Sequence, residues 1–298
     1  MPAQASTAIA PSSIWADRDA LTAHKGKRMT FGRCKLTGKQ GTFVASHLLP
    51  KSLTKPSQPG RPFVEAGHGS RPVRRWDSWF DKELVIRSGE DILARFDAAG
   101  IEELRKHMLL WSSRDTGSTL PNVQLLSEEH GFGIRQIQDT NAKVLRMFFL
   151  SLLWRSAASN RREVAEVTLA SSDLEQLRLL LLNDEVGPKD FFPIALTQLT
   201  EIGEPHNFAP MATEMAKPPL DGIEPGTIPT FRFYFNGLIA HIFRPKHGAM
   251  PDYIKGWHIG ESDLIVSTQR TRDSFQNLNL IANMRKAVEK WPHVISRI

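Results

Sequence analysis

The sequence predicts an α+β fold, in which a small module of two short strands and a helix precedes a mainly helical module with a β-hairpin and a small antiparallel sheet. Three features support this prediction: short glycine-punctuated apolar runs in the first third, long helical periods in the second half, and one Asn-Gly dipeptide between two aromatic runs. We expect a flexible N-terminus over 1–24, a basic module over 25–110, and the helical and hairpin module over 130–298.

The first third of the chain predicts few regular elements. Residues 42–44 indicate a short strand, and residues 50–75, rich in proline and glycine, indicate a loop. Apolar residues at helical spacing begin near Ser88 and predict a helix that Gly100 interrupts. Residues 112–133 show no period and are expected to be irregular.

The second half has clearer local signals. Asn236-Gly237 is the preferred type I′ turn, so its flanking runs predict a hairpin, with His241 on an exposed sheet face. Ser172 and Glu175 have the spacing of a capping box. An unpaired edge of the hairpin would invite another chain, so we expect a homo-oligomer or a protein partner here. The predicted elements are helices over 136–159, 174–182 and 277–290, a hairpin over 231–243 and a strand over 264–266.

Composition excludes several classes of protein. The chain has 298 residues, of which 41% are hydrophobic and 23% charged, so a wholly disordered chain is excluded. Cys34 is the single cysteine, so no internal disulfide can form. No apolar run is long enough to span a bilayer and no leader pattern precedes the chain, so we expect a cytoplasmic protein without a membrane partner. Motifs for nucleotide hydrolysis, nicotinamide binding, elbow-type acyl transfer and zincin proteolysis are absent from the sequence.

Positive charge is concentrated in one part of the chain. The net charge is +6, yet residues 24–75 contain twelve lysines and arginines and one acid, Glu65. This segment therefore carries +11 and the remaining residues carry −5. Such a field favours a nucleic-acid backbone, DNA or RNA, although a basic face that only keeps the protein in solution is the alternative. The residues predicted to bind nucleic acid are Lys35, Lys39, Lys51, Lys55, Arg71, Arg74 and Arg75.

One string within this segment carries candidate chemistry. Cys34-Lys-Leu-Thr37 is followed, after a glycine turn, by Val44-Ala-Ser-His47-Leu-Leu-Pro50. A histidine at a strand end, before two aliphatic residues and a proline, can take a proton from a water that attacks a phosphodiester. The string resembles the HNH (ββα-metal, His-Me finger) endonucleases, in particular those with a Cys-x-x-Cys knuckle before a Ser-His-Ile-Ile-Pro strand end.

This resemblance implies a ββα finger and a prokaryotic enzyme that hydrolyses DNA with a divalent metal, Mg²⁺ or Mn²⁺, as an effector of phage defence or of a mobile element. His47 would be the catalytic base, and His68 and Glu90 are the candidate metal ligands. Each has a simpler alternative: a hydrogen-bonded strand end for His47, a solvated loop residue for His68 and a helix N-terminal acid for Glu90.

The chain also departs from the family pattern. Thr37, Ile86 and Gly89 stand where three knuckle cysteines are expected, so we expect no structural zinc. Ser46 replaces the acid or histidine that often precedes the catalytic histidine, and no asparagine follows at the usual distance. Two other functions therefore stay open: a catalytically inactive nucleic-acid-binding subunit of a larger complex, and a structural protein whose basic segment meets an acidic partner.

Overall fold

The fold was analysed in a computed structural model. It describes residues 30–54, 63–67, 70–76, 78–115, 117, 120–129, 131–203, 206–216, 226–244, 256–260 and 263–295, with the backbone alone for 63–67, 70–75 and 294–295. The predicted flexible N-terminus, Lys55 and His68 lie outside these residues.

The described residues form short ribbons first and a large sheet later in the chain. The helices are α1 (Arg87–Lys106), α2 (Ala142–Ala158), α3 (Ser171–Asn183), α4 (Phe275–Lys290) and α5 (Pro292–Ile295). The strands are β1 (Phe31–Arg33), β2 (Gln40–Thr42), β3 (Ser46–His47), β4 (Phe63–Gly67), β5 (Ser70–Arg75), β6 (Phe80–Asp81), β7 (Val123–Ser127), β8 (Phe132–Ile137), β9 (Ile194–Leu199), β10 (Asn207–Ala216), β11 (Thr227–Phe235), β12 (Leu238–Phe243) and β13 (Leu264–Gln269).

A seven-stranded mixed sheet is the largest element, so the fold is α+β. Its strand order is β10-β11-β12-β9-β13-β8-β7. The neighbours are antiparallel except β13 and β9, which run parallel. Three two-stranded ribbons, β1-β2, β3-β6 and β4-β5, stand apart from this sheet.

Helix α2 is the centre of the core. It is buried along nearly its whole length and packs against α1 and α3. On the sheet side, the rings of Phe148 and Phe149 lie 6.1 Å and 6.3 Å from the ring of Phe235. On the α1 side, a Cβ at Gly100 would lie 2.4 Å from the Phe148 ring. Glycine is therefore required for close helix packing, and the predicted break of α1 at Gly100 is wrong.

The hydrophobic core is continuous between the two predicted modules. One buried cluster contains Leu48 and Leu93 from the basic module, and Phe149, Trp154 and Ile242 from the later residues. Burial of these side chains is the main term that holds the β3-β6 ribbon and α1 against α2.

Several sequence predictions need correction. The predicted helix over 136–159 begins only at Ala142, where the Asn141 side chain accepts from the backbone N–H of Val144. Residues 132–137 form β8 instead, and residues 123–127, expected to be irregular, form β7. The predicted loop over 50–75 contains the β4-β5 ribbon. The strand predicted at 42–44 ends at Thr42, and an isolated bridge from Phe43 to Ile86 follows it.

The predicted capping box of α3 is also wrong. The helix begins after Ala170, which makes no side-chain capping hydrogen bond. Glu175 instead accepts from Arg178 one turn later, and this pairing lowers the pKa of Glu175.

The predicted hairpin is confirmed, but its position in the sheet differs from the prediction. Asn236 and Gly237 both have positive φ, 51° and 78°, as a type I′ turn requires. Both hairpin strands are internal, since β10 and β9 flank them. His241 is buried, and its burial, with a smaller contribution from the Arg232 cation, lowers its pKa to about 3. The hairpin therefore offers no open edge, and the expected oligomer or partner stays a prediction.

Candidate functional site

His47 ends a short strand that leads, through a second strand, into α1. In the β3-β6 ribbon, His47 lies opposite Phe80 and Ser46 lies opposite Asp81. Directly opposed residues share one face of a ribbon, and successive residues alternate between faces. The half-buried His47 ring therefore lies with Phe80, at 6.0 Å between ring centroids, and Ser46 and Asp81 lie on the other face.

The face that carries Ser46 and Asp81 is turned into the protein. The Ser46 side chain is fully buried, and its Oγ has no hydrogen-bond partner. Asp81 accepts from Ser159 Oγ at 2.6 Å and from the backbone N–H of Glu83 at 2.7 Å. Asp81 is thus a structural residue that fastens the ribbon to the end of α2. Ser46 therefore cannot share a ligand with the His47 imidazole, because the two side chains lie on opposite faces of the ribbon.

A buried arginine of α2 holds the strand end that carries His47. Arg155, 1% exposed, donates from Nη1 to the His47 carbonyl oxygen at 3.0 Å. The same guanidinium forms a two-bond ion pair with Asp97 of α1, and Nη2 also donates to Ser151 Oγ. A bidentate pair of this kind fixes geometry as well as charge. Sequence analysis missed Arg155 and Asp97, although an arginine within the apolar run of α2 was a visible signal.

The two segments that the resemblance pairs as knuckles are adjacent in space. The first is a tight turn in which Thr37 N–H donates to Cys34 Sγ at 3.4 Å and Gly38 N–H donates to the Cys34 carbonyl at 2.9 Å. The second begins α1, where a Cβ at Gly89 would lie 2.9 Å from Cys34 Sγ. A tetrahedral thiolate zinc site needs four sulfurs, whereas these segments supply one sulfur, with Thr37, Ile86 and Gly89 at the other three positions. Close packing of Gly89 on Cys34 joins the two segments.

The predicted metal ligands are only partly within the described residues. Glu90, in the first turn of α1, is half-buried, and its Oε2 is buried without a hydrogen-bond partner. Such an orphaned oxygen suits a ligand. Among the residues that the structure describes, however, no three His, Cys, Asp or Glu side chains meet in a group that could hold a metal. A divalent site is therefore not assembled from His47 and Glu90 with any third described residue.

The predicted nucleic-acid-binding residues have different environments. Lys39 and Lys51 are exposed. The Lys35 ammonium donates to the Ala158 carbonyl oxygen at 2.6 Å, so its charge compensates the C-terminal end of α2. The remaining residues within the described backbone, whose side chains are not described, are Arg71, Arg74 and Arg75 on β5.

The structure adds two exposed cations that sequence analysis missed, because they lie outside the basic segment. Arg105 and Lys106 end α1 and line an open groove of about 590 Å³, together with Ser52 and Glu102. Ser52, five residues after His47 in the sequence, lies in the short 3₁₀ turn Lys51–Leu53.

No protein-family model, curated protein or solved structure matches the chain. In the part of the chain that the structure describes, no helix has the length and apolar character needed to cross a membrane.

Proposed function

We propose that the chain is an HNH-like endonuclease that hydrolyses DNA phosphodiesters. The observation that carries the proposal is the position of His47, at the end of a strand that pairs with β6 and leads into α1. Arg155 of α2 binds the His47 carbonyl and also pairs with Asp97 of α1. These bonds fix the backbone from which the imidazole projects. An anchored histidine can take the proton from the attacking water, and the basic segment that contains it supplies cations for the phosphate.

In the proposed reaction, the His47 imidazole takes a proton from a water molecule as that water attacks phosphorus. The bond from phosphorus to the leaving oxygen breaks, and that oxygen takes a proton from solvent. Exposed cations such as Lys51 and Arg105 hold the phosphate and balance the charge that develops on it. We assign no step to the Mg²⁺ or Mn²⁺ that the resemblance implies, because the described residues supply no three-ligand group for it.

A catalytically inactive nucleic-acid-binding subunit is the second candidate. The observation that favours it is Ser46, a poor ligand for a hard cation that is also buried on the ribbon face opposite His47. In this case the ribbon and α1 keep their shape and charge for binding without cleavage. For either candidate, a role in phage defence or in a mobile element rests on the family resemblance alone.

Two measurements on the purified chain separate these candidates. Incubation with supercoiled plasmid in Mg²⁺, Mn²⁺ or EDTA tests cleavage, and retention of the plasmid on a gel at increasing salt tests binding. Metal-dependent nicking supports the endonuclease. Salt-sensitive retention without nicking in any metal supports the binding subunit, because phosphate contacts weaken as salt rises. If the plasmid is neither nicked nor retained, both candidates are contradicted, and an acidic protein becomes the favoured partner of the basic segment.

A further inference from the structure

A second cleft lies at the C-terminal end of α1, where the sheet is open. The pairing of β7 with β8 ends at Val123 and Arg135, whereas β8 continues beside β13 as far as Ile137. The last residues of β8 are therefore uncovered on the β7 side. The cleft at this position has a volume of about 600 Å³, which is large enough for a nucleotide.

The side chains around this cleft are basic, amide and apolar. Three basic residues, Lys106, His107 and Arg135, line it, and no lining residue is an acid. Four amides, Asn122, Gln124, Gln136 and Gln138, also line it. Amide side chains offer both donors and acceptors, which is what the edge of a nucleobase needs, and cations attract its phosphate.

The positive charge of Arg135 is not neutralised by a carboxylate. Its side chain is 5% exposed and donates to Gln198 Oε1 at 3.0 Å and to the His107 carbonyl at 2.8 Å. Both partners are neutral, and Arg135 forms no ion pair among the described residues. Glu103 of α1 offsets the charge of two other basic residues of the cleft, because its Oε1 lies 3.8 Å from Lys106 Nζ and 3.0 Å from His107 Nε2. Arg135 therefore supplies the positive charge of the cleft that no described carboxylate pairs with, and this charge favours an anionic ligand.

Lys106 connects this cleft with the groove lined by Ser52 and Arg105. It lines both, its side chain is 56% exposed, and its ammonium donates to the Asp139 carbonyl. From Ala98 in the groove to Lys106, α1 rises by about 12 Å at 1.5 Å per residue. This length equals about three to four nucleotide steps of 3.4 Å. The groove therefore has the length of about three to four nucleotides, and the cleft follows it at Lys106.

We propose that the cleft lined by Arg135 and Gln136 holds one nucleotide of the DNA that the chain cleaves. The inference rests on the proposed function, since it assigns a second contact to the same substrate. The amides contact the base, and Lys106 contacts the phosphate between the cleft and the groove. A strand held in the cleft and at Lys106 has a fixed position along α1.

The test measures the Kd of a short fluorescein-labelled single-stranded DNA for the full chain. Binding is monitored by fluorescence anisotropy at fixed low salt. Gln136→Glu places a carboxylate in the cleft on an exposed residue, and Gln176→Glu on the exposed surface of α3 is the matched control. A new charge about 6 Å from a phosphate weakens binding by about threefold even in water, and by more where the cleft excludes water. Circular dichroism and thermal unfolding verify that both variants are folded.

We expect Gln136→Glu to raise Kd about threefold or more and Gln176→Glu to leave it unchanged. Equal Kd values for the wild type and both variants would overturn the cleft assignment and leave the proposed function standing. An equal rise in both variants would also overturn it, because the effect would then come from net charge alone. A wild-type chain that neither binds nor cleaves DNA would overturn the proposed function itself.

Discussion

The buried ion pair beside the His47 strand end gives a sharp stability prediction. Asp97→Asn keeps the shape of the side chain but removes the charge that faces the Arg155 guanidinium, which is 1% exposed. Breaking a buried pair costs about 3–5 kcal/mol, because the remaining charge has no counter-charge. The Asp97 side chain is 21% exposed, so water reaches it and the expected loss is about 2–3 kcal/mol.

Asp91→Asn is the matched control on the same helix. Asp91 faces Arg87 at 4.0 Å, with both side chains more than half exposed, so its loss should cost less than about 0.5 kcal/mol. Urea unfolding gives both values, and a double-mutant cycle with Arg155→Met gives the coupling between Arg155 and Asp97. We expect a coupling above about 1 kcal/mol. A coupling near zero, or equal losses for Asp97→Asn and Asp91→Asn, would refute the argument that this pair holds the strand end.

Three further predictions concern packing and pH. Burial keeps His241 neutral in the folded chain, with a pKa of about 3, whereas the same residue in the unfolded chain binds a proton below about pH 6.5. His241 should therefore lower the stability of the wild type by about 2 kcal/mol between about pH 7 and about pH 5. Urea unfolding of His241→Phe should show a drop smaller by that amount, and an unchanged pH slope would contradict this. Gly89→Ala should cost about 1–3 kcal/mol because its Cβ meets Cys34 Sγ, whereas Gly256→Ala, with open space around it, should be neutral; equal melting temperatures would argue against close packing at Gly89. Met108 follows the end of α1 with a φ of 51°, a left-handed conformation that strains any residue with a Cβ. Met108→Gly should therefore raise the free energy of unfolding by about 1 kcal/mol, and a lower melting temperature would contradict this strain.

Local sequence signals predicted the elements that depend on neighbouring residues. The hairpin was predictable because Asn236-Gly237 fixes its turn, and helix α4 was predictable from its apolar spacing. The start of α2 was misplaced because apolar residues of β8 extend the helical pattern backwards, and only the Asn141 cap marks the boundary. The break expected at Gly100 failed for a tertiary reason, the approach of Phe148.

The order of the sheet and the partners of buried charges could not be predicted from local patterns. The parallel pairing of β13 with β9 joins segments about seventy residues apart, and the pairings of β10 with β11 and of β9 with β12 make both hairpin strands internal. Arg146 is another example, because its guanidinium binds backbone carbonyls near the end of α3, where sequence analysis would expect an exposed cation. At the candidate site, the sequence indicated His47 and the adjacent knuckle segments. The Arg155–Asp97 pair and the cleft at Gln136 depend on contacts that only the fold reveals.

The central claim is that His47 acts on a phosphodiester, and single-turnover cleavage of supercoiled plasmid tests it most directly. The wild type, His47→Ala and His293→Ala, a matched change at an exposed histidine of α5, are compared at equal concentration in Mg²⁺ and in Mn²⁺. Loss of a general base reduces the rate by about 10²- to 10⁴-fold. We predict nicking by the wild type and His293→Ala and a loss of at least about a hundredfold in His47→Ala. Equal nicking by all three proteins would contradict the assignment of His47 as the base.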